Sequence, residues 1–175
     1  MTELTPEKIS FEWHTTTVIE TFSLGRRLGE LARPTLIIAL CGNLGAGKTL
    51  FTQGIAAGLD IAEKVTSPTF IFVNEYETPA GYTLIHIDSY RLGDEPDAAV
   101  REAFTFGLDE ILNRDDAIVV IEWADRLTDL LPADHLQITL TYTDDLPDQR
   151  QIAAVAHGPV SAALLAEWHS RSSQQ

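Results

Sequence analysis

The most specific chemistry in this chain lies in Gly42-Asn43-Leu44-Gly45-Ala46-Gly47-Lys48-Thr49. The order is glycine, four residues, then Gly-Lys-Thr, the pattern of a phosphate-binding loop. Glycines let successive backbone N–H groups turn inward and let the main chain approach an anion closely. The Lys48 ammonium has the reach for β- and γ-phosphates, and the Thr49 hydroxyl is a ligand for Mg²⁺ bridging them. Two more residues could act on the same substrate. Asp88 ends the apolar run Tyr82–Ile87, and Glu122 ends the run Ala117–Ile121. A carboxylate at a strand end is where an open α/β sheet presents site residues. The second run has the shape of a Walker B element, whose acid holds Mg²⁺ or positions the attacking water. Asp88 also reads as a turn or helix-capping residue. Trp123, next to Glu122, either shields the site or fills core.

These residues work only if the right elements hold them. The loop must leave a buried strand and enter a helix. Thr35 to Cys41 is almost continuously apolar, as in a strand buried on both faces. Lys48 to Leu59 carries Phe51, Ile55 and Leu59 at helical spacing, and its N-terminal dipole would face the phosphates. Upstream, Phe11 to Thr17 reads as a short strand. Val18 to Ala32 reads as a helix with Ile19, Phe22, Leu28 and Leu31 inward; Gly25 and Gly29 weaken it unless they allow close packing.

Downstream, Gly58 to Pro68 is a polar connection. Residues 69–87 read as a hairpin, its first strand running from Thr69 to Tyr76. The Ser67-Pro68-Thr69 segment is either a nucleotide-sensing switch or an ordinary loop. Asp97 to Leu112 is helical, split at Gly107, with Val100, Phe104, Leu108 and Ile111 inward. A short helix spans Ala124 to Leu131, Leu136 to Tyr142 alternates as a half-buried strand, and Gln151 to His157 is a last strand. A final helix runs from Gly158-Pro159 through Trp168 with Val160, Leu164, Leu165 and Trp168 on one side. His86 alternates within its strand and reads as a packed histidine rather than a catalytic one.

Bulk properties limit the alternatives. The chain has 175 residues, which fits a single domain over 1–175 with a loose lead-in to residue 10 and a fraying tail over 171–175. Its formal charge of −14 argues against its gripping a nucleic-acid backbone alone and permits docking on a basic protein. No membrane-length apolar run and no basic-then-apolar leader are visible, which suits the cytoplasm. The lone Cys41 reads as a small buried residue, not a nucleophile. The five histidines show no metal-ligand spacing.

Taken in order, Leu44-Gly45-Ala46-Gly47-Lys48-Thr49, Ser67-Pro68-Thr69-Phe70, His86-Ile87-Asp88-Ser89-Tyr90-Arg91-Leu92 and Glu122-Trp123 resemble one family. It is the small P-loop ATPase of bacterial tRNA threonylcarbamoyladenosine modification, the TsaE or YjeE family. The resemblance covers about residues 12 to 142. It implies a three-layer P-loop NTPase fold with a mixed, mainly parallel sheet flanked by helices. It also implies ATP and Mg²⁺ as ligands and slow hydrolysis. The implied partners are the threonylcarbamoyl transferase subunit and its non-catalytic paralogue, with tRNA met only through that complex. On that resemblance the nucleotide contacts are residues 43–50, Thr69 and Trp123. Lys48, Asp88 and Glu122 are the catalytic set, and Thr49, Asp88 and Glu122 the metal set, with the division of labour between the two carboxylates open. Asn43 and Leu50 depart from the family's common Asp and Thr without removing a phosphate or metal ligand. Two other uses of the same loop stay in view: a small-molecule kinase with Asp88 as base, and a nucleotide-gated binding module.

Overall fold

The computed structural model describes residues 9–68, 72–92, 96–143 and 145–173. In chain order the elements are β1 (Ser10–Thr15), α1 (Val18–Leu31), β2 (Ile37–Cys41), α2 (Lys48–Gly58), β3 (Val73–Glu77) and β4 (Thr83–Asp88). They continue with α3 (Pro96–Thr105), α4 (Leu108–Leu112), β5 (Ala117–Glu122), β6 (Leu136–Thr143), β7 (Leu146–Ala156) and α5 (Pro159–Ser172).

The strands form one sheet in the order β1-β7-β6-β2-β5-β4-β3. The pairs β6/β2, β2/β5 and β5/β4 are parallel; β1/β7, β6/β7 and β3/β4 are antiparallel. So β1, β6, β2, β5 and β4 run one way, and β7 and β3 run against them. The central strands β2, β4 and β5 are buried on both faces, as their apolar runs require.

The two faces carry separate cores. On one, Ile38, Leu40, Leu84, Val120 and Ile138 pack under Leu24 and Leu28 of α1, Phe51 and Ile55 of α2, and Leu165 and Trp168 of α5. On the other, Ala39, Ile85, Ile87 and Ile121 pack under Ala103 of α3, Leu108 of α4 and Leu127. Helix α2 is pinned by α1 at a glycine contact. A Cβ on Gly29 would lie 2.1 Å from the Ile55 carbonyl oxygen, and one on Gly25 would lie 2.5 Å from that of Phe51. The glycines that weaken α1 as an isolated helix are therefore where it meets α2.

Several boundaries and faces differ from the sequence reading. Strand β3 begins at Val73; Thr69, Phe70 and Ile71 lie outside the described residues. Strand β7 begins at Leu146, because Leu146 pairs with Thr143 of β6 despite a polar sequence. Ala124 to Leu131 forms not one α-helix but two 3₁₀ turns, Ala124–Arg126 and Thr128–Leu130, entered from Trp123 at φ 60°. Helix α5 continues to Ser172, where Arg171 pairs with Glu167 one turn back. Ile19, Phe104 and Val160, read as inward-facing, are exposed.

Candidate phosphate and metal site

The loop between β2 and α2 has the backbone its sequence demands. Gly42 and Gly47 adopt φ of 130° and 99°, in the region that favours glycine. A side chain on Gly42 would also strike the Leu140 carbonyl at 2.2 Å. Gly47 caps α2 without any side-chain acceptor, so the first N–H groups of the helix face the loop's hollow. That hollow is a cavity of about 330 Å³ walled by Leu44, Gly45, Gly47, Lys48, Thr49, Leu50, Ser67, Asp88, Glu122 and Trp123, among others. A larger hollow of about 570 Å³, between Trp13, Glu20, Arg27 and Ser172, contains none of these groups. The chemistry, not the volume, identifies the site.

Lys48 is buried. Its Nζ donates to the carbonyl oxygens of Gly42 (2.6 Å) and Asn43 (3.0 Å) and sits 3.6 Å from the centre of the Trp123 ring. Burial pushes its ammonium below the ordinary lysine value, while the Glu122, Asp125 and Asp88 carboxylates oppose that push. Trp123 reaches this position from a left-handed backbone, an uncommon conformation for a bulky residue. The Ser89 hydroxyl lies 2.8 Å and 2.9 Å from the Glu122 and Trp123 carbonyl oxygens and shares its one hydrogen between them, while the Ser89 N–H donates to Glu122 O at 3.2 Å and the Arg126 N–H to Trp123 O at 3.1 Å. Tyr90 packs beside the Trp123 ring at 4.9 Å.

The two carboxylates meet through strand register. β4 and β5 are parallel, and Asp88 is opposite Glu122 at their C-terminal ends. Glu122 Oε2 accepts from the Thr49 hydroxyl at 2.9 Å, joining the end of β5 to the first turn of α2. Its Oε1 faces inward, 2.8 Å from His86 Nε2 and 3.4 Å from Thr52 Oγ1. Asp88 Oδ1 accepts from the Tyr90 N–H at 2.9 Å, as a turn aspartate does. Its other oxygen accepts from the Ser67 hydroxyl, which ties the 60–68 connection to the site.

Among the described residues no group of three or more His, Cys, Asp or Glu could hold a metal alone. One hydroxyl and two carboxylates beside a loop for phosphate suit a hard, hydrated cation that takes most of its shell from phosphate and water.

The structure thus gathers Lys48, Thr49, Asp88, Glu122 and Trp123 around one hollow, with Asn43, Leu44, Gly45, Ala46 and Leu50 in or beside its walls. Thr69 lies outside the described residues. His86 is packed, as its alternation suggests, yet its partner is Glu122. Sequence reasoning missed Arg150 and Tyr142. Arg150 Nε donates to the Ala46 carbonyl at 2.8 Å and its Nη2 to that of Gly45 at 3.2 Å, while the Tyr142 hydroxyl reaches Leu44 O at 3.2 Å. Both brace the loop from the β6–β7 hairpin. No signal in the sequence marks Arg150.

Residues 15–152 match the model of the family described as threonylcarbamoyl adenosine biosynthesis protein TsaE. The tRNA threonylcarbamoyladenosine biosynthesis protein TsaE of Bacillus subtilis is 36% identical over 147 residues, 84% of this chain and 86% of that protein. The protein of the same name from Mycobacterium leprae is 42% identical over 129 residues, 70% of this chain and 77% of its own. The crystal structure of Bacillus subtilis YdiB superposes with a TM-score of 0.76 at 31% identity, covering 94% of this chain and 97% of that one. By sequence and by fold alike, the chain belongs to the TsaE family.

Proposed function

We propose that this chain binds ATP with Mg²⁺ and hydrolyses it slowly, as an accessory subunit in forming threonylcarbamoyladenosine on tRNA in the cytoplasm. The observation that carries the ATPase reading is the Thr49–Glu122 hydrogen bond at the mouth of a glycine loop. It puts the loop's hydroxyl and a strand-end carboxylate within reach of one cation. The role in tRNA modification rests on the family and on the names of its members.

In this reading the loop's backbone N–H groups and Lys48 clamp the phosphates, and Thr49 and Glu122 hold the cation side of the site. A Mg²⁺ held there would supply positive charge beside the phosphates. Asp88, opposite Glu122, orients the attacking water. Ser67 reports the state of Asp88 to the preceding loop. The partners are the threonylcarbamoyl transferase subunit and its non-catalytic paralogue. The net charge of −14 favours work on proteins over direct contact with tRNA. Among the described residues no helix is long and apolar enough to cross a membrane.

The test is hydrolysis of radiolabelled ATP by the purified chain, with and without the transferase pair, with modified tRNA scored alongside. The expected result is that the pair changes hydrolysis and that repeated rounds of modification need this chain. Lys48→Ala removes a charged donor worth about 1.5–3 kcal/mol, so ATP affinity falls about 10- to 150-fold. Unchanged affinity refutes the phosphate-loop assignment. Modification that proceeds equally without the chain refutes the role in it. Label found on a small molecule favours a kinase.

A further inference from the structure

Glu122 has two oxygens in different surroundings. Oε2 faces Thr49 and the cavity; Oε1 faces the interior under α2. Of the two groups near Oε1, Thr52 is a poor donor. Its hydroxyl is 3.4 Å away and donates instead to the Lys48 carbonyl at 3.0 Å. His86 Nε2, at 2.8 Å, is the effective partner.

An ionised carboxylate only accepts, so Nε2 carries the hydrogen. His86 is 0% exposed, and its Nδ1 has no hydrogen-bond partner among the described residues. A buried polar ring with one nitrogen unsatisfied costs stability, and an apolar side chain would continue the surface made by Leu84 and Val120. Among the described residues, the one hydrogen bond the ring makes goes to the carboxylate at the mouth of the site.

We infer that His86 is a positioning residue for Glu122. It holds Oε1 inward so that Oε2 is presented to Thr49 and to a cation bound beside it. The inference rests on the reading of Glu122 as the cation-side carboxylate of an ATPase. His86 does not touch substrate; it acts through the orientation of Glu122.

The test compares His86→Leu, which removes the donor, with His86→Gln, which can return an N–H to Oε1. Each full-length variant is measured for steady-state ATP hydrolysis, for Mn²⁺ affinity by electron paramagnetic resonance with a non-hydrolysable ATP analogue, and for thermal melting. Loss of an outer-shell partner of this kind costs about 10- to 100-fold in metal affinity or activity. The expected result for His86→Leu is that kcat and Mn²⁺ affinity both fall within that range while KM for ATP moves less than about threefold. His86→Gln recovers most of both losses.

If His86→Leu fails to fold, His86→Asn takes its place. The shorter amide cannot reach Oε1, so it behaves as the donor-less variant. Equal losses in Gln and in the donor-less variant overturn the inference, because packing shape alone then explains them. Normal kcat and Mn²⁺ affinity in the donor-less variant, with Glu122→Gln inactive, overturn it while leaving the ATPase reading intact. Normal hydrolysis in Glu122→Gln overturns both.

Discussion

Replacing Gly29 by alanine tests whether α1 and α2 cross where the structure puts them. The added Cβ would sit 2.1 Å from the Ile55 carbonyl oxygen, 2.9 Å from its carbon and 3.0 Å from its Cα. Ordinary contact begins at 3.4 Å, and all three neighbours are backbone atoms of a packed helix that cannot rotate aside. The helices must therefore part by roughly an ångström. A gap of that size forfeits a quarter to a half of each dispersion contact along the seam. The seam includes Leu28, Phe51 and Ile55, all fully buried. Overpacking of this kind costs about 1–3 kcal/mol or more, against about 1 kcal/mol gained from alanine's better helix propensity. With three backbone contacts at 3.0 Å or less the cost lies at the top of that range, about 3 kcal/mol, and the net expectation is a loss near 2 kcal/mol. For a chain of this size that lowers Tm by about 4–8 °C in a calorimetric or circular-dichroism melt. Gly25→Ala strikes the Phe51 carbonyl, one turn from Lys48, in the turn where the Phe51 N–H bonds Gly47 O at 2.9 Å. It should destabilise similarly and also weaken nucleotide binding, which Gly29→Ala leaves nearly intact. A Gly29→Ala protein that melts at or above the parent refutes the close crossing, because propensity alone would then decide the outcome.

Two further predictions concern groups outside the reactive set. Burial, assisted by Asp125, pushes the Cys41 thiol up to about 11 from an ordinary value near 9. At pH 8 its alkylation by iodoacetamide is then about a hundredfold slower in the folded chain than in urea, and equal rates would refute the half-buried placement of the thiol. Asp134 caps α5 from outside the helix, accepting from the Val160 N–H at 2.7 Å and the Ser161 N–H at 3.0 Å. Burial alone would raise its carboxyl, but the Ser161 side chain together with these two N–H groups outweighs it and holds the group below the usual aspartate value. Its stabilisation is thus complete above about pH 4 and lost as pH falls through the depressed folded value. Asp134→Ala should cost about 1 kcal/mol at pH 7 in urea melts, with the deficit closing in acid. A deficit that persists unchanged at pH 2 would show that the carboxylate is not the cap.

What the sequence made legible was local. The glycine loop puts its chemistry into consecutive residues, and the strand and helix flanking it are read from periodicity. Likewise Asp88 and Glu122 stand out because each ends a buried apolar run. Faces were harder. Counting apolar residues turned α1 toward Ile19 and Phe22. The structure does bury Leu28 and Leu31, but it completes that face with Thr21, Leu24, Gly25 and Gly29 rather than Ile19 and Phe22, because close approach to α2 favours the absence of a side chain. Hydrophobicity scores a glycine as neutral, so a seam built on glycines cannot be found by searching for apolar stripes.

The contacts that turn these residues into a site escaped the sequence for a different reason. Thr49 meets Glu122 across 73 residues, His86 meets it across 36, and Arg150 reaches Ala46 across 104. Each depends on strand order and register. In a sheet a slip of one residue reverses every side chain. Shifted by one, β4 would set Ile87 rather than Asp88 opposite Glu122 and turn His86 toward Ala103 and Leu108 on the far face. The sequence does carry half of this. His86 and Asp88 are two apart in one strand, so whichever face takes one takes both. Once Asp88 is assigned to a phosphate site, His86 must lie on the α2 side of the sheet, one strand from the end of β5. Strand geometry therefore puts a packed histidine on the same face as Asp88, and parallel pairing with β5 brings it to the Glu122 side chain.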